Sequence, residues 1–208
     1  MRTTLPGAHQ VCTRRHVEVM TRGKSYGQIP LILGAYDFSP FRVIGDIGGG
    51  YGHLLQSVLE AAPAATGVLF ELPQVIDQTP GIASERLRLH TGDFFVDTLP
   101  TCDAYVLMQV IHDWGDAEAV RILSAIRRVA PAHAKLLLIE MIVPDDVTLS
   151  WAQVLDVYML TAHGGQERTA QQFSGLLSAA GFCLGRTINL GANEAILEAT
   201  PRPGWAPR

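Results

Sequence analysis

Between Arg42 and Val143, short apolar runs alternate with amphipathic stretches, and this alternation limits the chain to few folds. Arg42–Ile47, Thr66–Glu71, Arg86–His90, Asp103–Val110 and Lys135–Val143 read as strands. Asp103–Val110 is nearly continuous in apolar residues, as expected when both faces of a strand are covered. Tyr51–Ala62, stopped by Pro63, and Asp116–Val129 read as helices, the latter with Ala117, Val120, Ile122, Ile126 and Val129 apolar. Pro73 suits a first helical position. Ser150–Thr161 and Thr169–Ala180 add two helices, the second closed by Gly181. Phe182–Asn189 and Glu194–Ala199 read as a strand pair joined around Gly191. Strands alternating with helices predict an α/β fold with a mostly parallel seven-stranded sheet, helices on both faces and an antiparallel C-terminal strand.

A chain of 208 residues suits one domain. The expected division is a helical lead-in at 1–36, one domain at 37–201 and a loose tail at 202–208. The net charge is −4, and the densest basic cluster is Arg14, Arg15 and His16, which is no footprint for nucleic acid. The longest apolar runs, such as Leu136–Ile139, are too short to span a bilayer. Cys12, Cys102 and Cys183 are far apart and odd in number, so they form neither a disulfide framework nor a metal-binding pair, and no metal is expected. Reduced thiols and an N-terminus without an apolar signal stretch point to the cytoplasm.

The strongest local feature is Asp46-Ile-Gly48-Gly-Gly50-Tyr-Gly52, between a strand and a helix. Glycines there permit tight turning and close approach of a ligand to the backbone. Glu71 ends the next strand, 25 residues after Asp46, where an acid accepts hydrogen bonds from ribose hydroxyls. A dinucleotide loop spaces its glycines G-x-G-x-x-G; here the third comes one residue early. A sulfonium donor carries no pyrophosphate, and a carboxylate such as Asp46 suits its cation. The spacing leans towards S-adenosylmethionine and leaves a nicotinamide cofactor open.

Further segments follow in order: VIGDIGGGYGHLL (43–55), GVLFELPQVID (67–77), GDFF (92–95), VIHDWGDAEAVRILSAIRR (110–128), KLLLIEMIVP (135–144), LDVYML (155–160), GGQERTAQQFSGLLSAAGF (164–182) and AILEATP (195–201). Together they resemble the catalytic domain of the S-adenosylmethionine-dependent O-methyltransferases of the caffeic acid and hydroxyindole type, over about residues 17–201. The resemblance implies a Rossmann-like class I methyltransferase fold. It implies that Gly48, Gly50 and Gly52 lie against the methionine part of the donor, and that Glu71 holds the ribose where the family usually has Asp. Leu72 then touches the adenine, Asp93 and Phe94 meet its edge and face, and Trp114 walls its pocket. Gln109 stands where many plant members have Lys, so that donor contact is altered. Met20 and Met159 match positions that often line the acceptor ring.

The same resemblance makes His112 the catalytic base, with Asp113 beside it and Glu140 and Glu167 flanking. The residues agree: His112 lies just past the fourth strand, and an imidazole titrating near neutrality can take a proton from a phenol of pKa ~10. A carboxylate accepting from the imidazole fixes its tautomer; Glu140 also reads as an ordinary strand-end acid, and Glu167 as a cap for the helix near Thr169.

Family members carry roughly 100 or more residues ahead of this domain, enough for a small module. By resemblance that module is helical, makes a homodimer and closes the acceptor pocket; with at most 40 residues before Phe41, the expectation is that this sequence does not include it, whether as a truncation or a natural short form. The expected activity is methylation of a hydroxyl on a small aromatic or polyketide metabolite, leaving S-adenosylhomocysteine, with no nucleic acid or membrane partner. The alternatives are a donor-binding homologue that is non-catalytic, or one that supports hydroxylation or decarboxylation.

Overall fold

The computed structural model describes residues 27–79, 81–144 and 166–205. Residues 27–35 are helical (α1). The elements that follow are β1 (Val43–Ile47), α2 (His53–Ala61), β2 (Thr66–Glu71), α3 (Pro73–Ile76), β3 (Leu87–Thr91) and β4 (Ala104–Met108). A single 3-10 turn at Ile111–Asp113 leads into α4 (Asp116–Val129), β5 (Lys135–Met141), α5 (Ala170–Ala179), β6 (Phe182–Gly191) and β7 (Glu194–Pro201). The expected helix at Ser150–Thr161 lies outside the described residues.

The seven strands form one sheet in the order β3-β2-β1-β4-β5-β7-β6. β1 to β5 are mutually parallel, and β7 runs antiparallel to β5 and β6. This is the expected sheet. Its order reverses between β1 and β4, which opens a crevice at the carboxyl ends of those strands.

Side chains alternate across β4 to feed two cores. Tyr105 and Leu107 join Ile122, Ile126, Phe173 and Leu177 of α4 and α5 on one face. Val106 and Met108 join Ile32 of α1 and Leu54, Leu55 and Val58 of α2 on the other. Burying each large side chain contributes roughly 1.5–3 kcal/mol. The lead-in is thus part of the packing from residue 27 onward, since Ile29 and Ile32 are buried beside Tyr36 and Phe38.

Among the boundaries that differ from expectation, three have clear local reasons. α2 begins at His53 because Gly52, with φ 72, breaks the helical path. β4 stops at Met108 because Gln109 turns to φ 52 and redirects the chain. The tail is held through residue 205: Arg202 N donates to Gly181 O, and Arg127 donates to Arg202 O and lies over the Trp205 ring. Its apolar ring, which a composition rich in Pro and Gly conceals, docks against Gly181, where a Cβ would collide with it.

Candidate active site

The strand tips on either side of the crevice carry the site. Read across the sheet, they present Glu71 (β2), the glycine loop (β1), the His112 turn (β4) and Glu140 (β5). Gly48, Gly50 and Gly52 all have positive φ, at 71, 59 and 72. A side chain is strained in that region, so this loop shape requires glycine. Gly49 lies so close to the Asp46 carboxyl that a Cβ would collide with it. Asp46 itself is buried beneath the loop.

Glu71 grips the loop. Its Oε2 accepts from Gly50 N at 3.0 Å and its Oε1 from Leu72 N at 2.8 Å. A carboxylate offers about four acceptor positions, and these bonds use two of them. Leu72 is half-buried as the residue before α3. Phe94 stands over Gly48, and its ring meets Trp114 edge-on with centroids 5.8 Å apart. Phe95 packs 4.8 Å from Trp114. Asp93 Oδ1 accepts from Phe95 N, which fixes the turn that presents Phe94. The glycine loop, Glu71, Leu72, Asp93, Phe94 and Trp114 are therefore grouped at one end of the sheet.

Gln109 is not in that group. Its side chain donates to Gln28 Oε1 at 3.4 Å and Glu194 Oε1 at 3.3 Å, towards α1 and the start of β7. Met20 and Met159 lie outside the described residues.

His112 is buried in the 3-10 turn. Its Nδ1 donates to Glu167 Oε1 at 3.0 Å, which leaves Nε2 as the basic nitrogen of the neutral ring. Nε2 lies 3.5 Å from Asp113 Oδ1. Glu140 plays a different part from Glu167. Its Oε1 accepts from Val110 N (3.2 Å) and Ile111 N (2.8 Å), so it props the backbone of the turn rather than touching the ring. Glu140 Oε2 is buried without a hydrogen-bond partner. Glu167 is not a helix cap, because Thr169 and Gln172 cap α5 reciprocally.

Electrostatics here move both groups. Burial pulls the imidazole down, but the hydrogen bond to Glu167 and the charges of Glu140, Asp113 and Glu167 outweigh it and carry His112 up to about 9. The expectation of titration near neutrality is thereby corrected; three neighbouring acids gathered from separate segments are the cause. Burial pushes Glu140 up to about 7, against the opposing pull of His112 and Ile111 N. An imidazole near 9 is able to accept a proton from a phenol of pKa ~10.

Sequence reading missed the 3-10 turn, the role of Gln109 and the buried Arg168. A lone Arg between Glu167 and a capping Thr gives no periodic signal.

Among the described residues there is no cluster of His, Cys, Asp and Glu able to hold a metal, and no helix long and apolar enough to cross a membrane. Cys102 and Cys183 are free thiols.

A glycine loop after β1 and an imidazole–carboxylate pair after β4, on either side of a sheet reversal, define a Rossmann-like domain of the class I methyltransferase type. The crystal structure of human N-acetylserotonin methyltransferase in complex with SAM has this fold: the TM-score is 0.83 with 29% identity, covering 89% of this chain and 55% of that one. Residues 14–183 match the O-methyltransferase domain family, and the chain belongs to it. A phenazine O-methyltransferase of Lysobacter antibioticus is 40% identical over 175 residues, which is 82% of this chain and 51% of that protein. An 8-amino-8-demethylriboflavin N,N-dimethyltransferase of Streptomyces davaonensis is 43% identical over 181 residues, 83% of this chain and 51% of that protein. The chain spans about half the length of these curated relatives.

Proposed function

We propose that this chain binds S-adenosylmethionine at the tips of β1, β2 and β4 and methylates a hydroxyl of a small aromatic metabolite, with His112 as general base. The observation that carries this reading is the buried His112–Glu167 hydrogen bond just past the end of β4, which leaves Nε2 as the basic nitrogen.

The residues fit the donor. The loop has a shape that only glycine adopts without strain, the Glu71 carboxylate at its edge is an acceptor for the ribose hydroxyls, and the Phe94 ring beside Gly48 is an apolar face for the adenine. Asp93, one residue before Phe94, faces the adenine amino edge, and Asp46 under the loop offsets positive charge on the donor. Bound there, S-adenosylmethionine supplies an electrophilic methyl group whose carbon–sulfur bond breaks with the electron pair going to sulfur.

The chain's own part is alignment and proton removal. Neutral His112 accepts the hydroxyl proton on Nε2, and Glu167 stabilises the imidazolium that results. The freed oxygen then bonds to the methyl carbon, leaving S-adenosylhomocysteine. Holding oxygen and methyl at near-attack distance supplies much of the acceleration. Asp113, 3.5 Å from Nε2, helps hold the proton once transferred.

A second reading is an amine acceptor, which the riboflavin-type relative favours. An aromatic amine attacks through its lone pair and needs no base first, so a held imidazole favours the hydroxyl. Other readings are a donor-binding domain without turnover, or hydroxylation or decarboxylation. By resemblance, a preceding helical module would complete the acceptor pocket and dimerise, and the cytoplasm is the proposed location.

The test is calorimetry with S-adenosylhomocysteine, followed by a mass screen of phenols, phenazines and aromatic amines with S-adenosylmethionine. A gain of one CH2 on a hydroxyl is expected. Donor binding with no product across the panel, or a gain of one oxygen, would sink the reading.

A further inference from the structure

Arg168 heads the largest fully buried side chains, at 0% exposure. A buried guanidinium is costly unless all its donors are met. Here all five N–H groups are engaged. Nε and one Nη2 proton go to Asp116 Oδ1 at 3.1 and 2.9 Å. The other Nη2 proton goes to Trp114 O at 2.7 Å. The two Nη1 protons go to Ile111 O at 3.2 Å and Gln166 O at 3.4 Å.

These acceptors bracket His112: Ile111 precedes it, Trp114 closes the turn and Asp116 opens α4. The segment that carries Arg168 is anchored in turn to the end of β5, where it bridges Ile142 and its carbonyl accepts from Val143 N at 2.9 Å. Gln166 N also donates to His112 O at 2.9 Å. The residue next to Glu167 therefore grips the backbone on both sides of the imidazole that Glu167 must meet.

We propose that Arg168 is the positioning residue that sets Glu167 against His112 Nδ1 and ties the base to the Trp114 wall as one unit. The proposal rests on the reading of His112 as base. A lysine cannot substitute: its three donors radiate from one point and cannot reach Ile111 O, Trp114 O and Asp116 together.

The sign of a shift at His112 separates positioning from charge alone. The groups facing the imidazole are Glu167, Asp113 and Glu140, with the Arg168 cation behind the turn. Removing only a positive charge would raise the imidazole pKa; losing the Glu167 hydrogen bond lowers it. Arg168→Lys keeps the charge and loses the geometry.

The experiment is an NMR titration of the histidine-labelled full chain, with the His112 signal assigned by its loss in His112→Ala. For Arg168→Lys the expected result is a folded protein that binds S-adenosylhomocysteine within about threefold of wild type, with a His112 midpoint at least one pH unit lower. With a phenol acceptor, kcat should fall tenfold or more while the KM for the donor stays nearly constant. An unchanged midpoint in the folded variant overturns the proposal. If Arg168→Lys does not fold, Arg168→Gln takes its place: loss of the cation alone would raise the midpoint, so a fall reports the lost Glu167 contact. A smaller downward shift is then expected, and none overturns the proposal. Because the titration needs no turnover, its outcome is separate from that of the base assignment, which fails if His112→Ala keeps wild-type rates.

Discussion

His112 Nδ1 lies 3.0 Å from Glu167 Oε1, with the two side chains 6% and 0% exposed. Residues 55 apart in sequence thus form one buried acid–base unit. His112→Ala should leave S-adenosylhomocysteine affinity within about twofold and lower turnover by roughly 10²–10⁴. The pH dependence has a definite sign. A base works when neutral, so kcat/KM for an un-ionised phenol should rise with pH up to about 9, the value to which Glu167 and its neighbours carry the imidazole. Glu167→Gln should move that midpoint down towards the ordinary histidine value of ~6.5. An unmoved midpoint in a folded variant would assign the profile to another group.

The same buried groups link stability to pH. His112 in the folded chain sits near 9, above its ordinary 6.5, so its stabilising contribution is complete below 6.5 and lost as pH rises through 9. Glu140 sits near 7, above its ordinary 4.5, so the folded chain holds that proton more tightly than the unfolded chain does. Its contribution also falls as pH rises, between 4.5 and 7. Glu140→Gln should remove this lower step: the difference in Tm between variant and wild type should shift in the variant's favour from pH 5 to pH 7.5. Scanning fluorimetry across that range checks it, and a constant difference would count against a protonated Glu140.

Helix α1 offers a packing test. Ile32 is fully buried against the α2 side of the sheet, while its neighbour Leu31 is 51% exposed. Ile32→Ala should cost about 2–5 kcal/mol in urea unfolding. Leu31→Ala should stay within about 0.5 kcal/mol. Equal effects would mean that α1 does not dock as described.

Much of this was legible in the sequence because the governing patterns are local. Strand and helix runs and the GGGYG turn are each specified within a dozen residues, and among the described residues they lie within a few residues of expectation, whereas the cap of α5 is Thr169 and not Glu167. The order of motifs identified the family. What stayed hidden depends on contacts between distant segments. That Glu140 props the Val110–Ile111 backbone while Glu167 takes the ring follows only once β4, β5 and the 166–169 segment meet. The raised imidazole has the same origin. Gln109 looked like a donor residue by position, but its φ of 52 turns the chain and its amide faces Glu194.

Glu71 gives the sharpest test of the donor site, because its two jobs can be separated. Its carboxylate orders the glycine loop through Gly50 N at 3.0 Å, and by proposal it also holds ribose hydroxyls. Hydrogen bonds to a charged group contribute roughly 1.5–3 kcal/mol each, so Glu71→Ala should weaken S-adenosylhomocysteine binding by tenfold or more. Glu71→Gln keeps one side-chain acceptor for the Gly50 N–H but loses charge and one acceptor oxygen. It should therefore keep the wild-type Tm within about 3 °C and still lose affinity. Methionine or homocysteine alone, which lacks the ribose, should compete equally poorly against wild type and Glu71→Gln. Calorimetry reads all three ligands. If Glu71→Gln binds S-adenosylhomocysteine like wild type, the acid only shapes the loop, and the ribose must be held elsewhere.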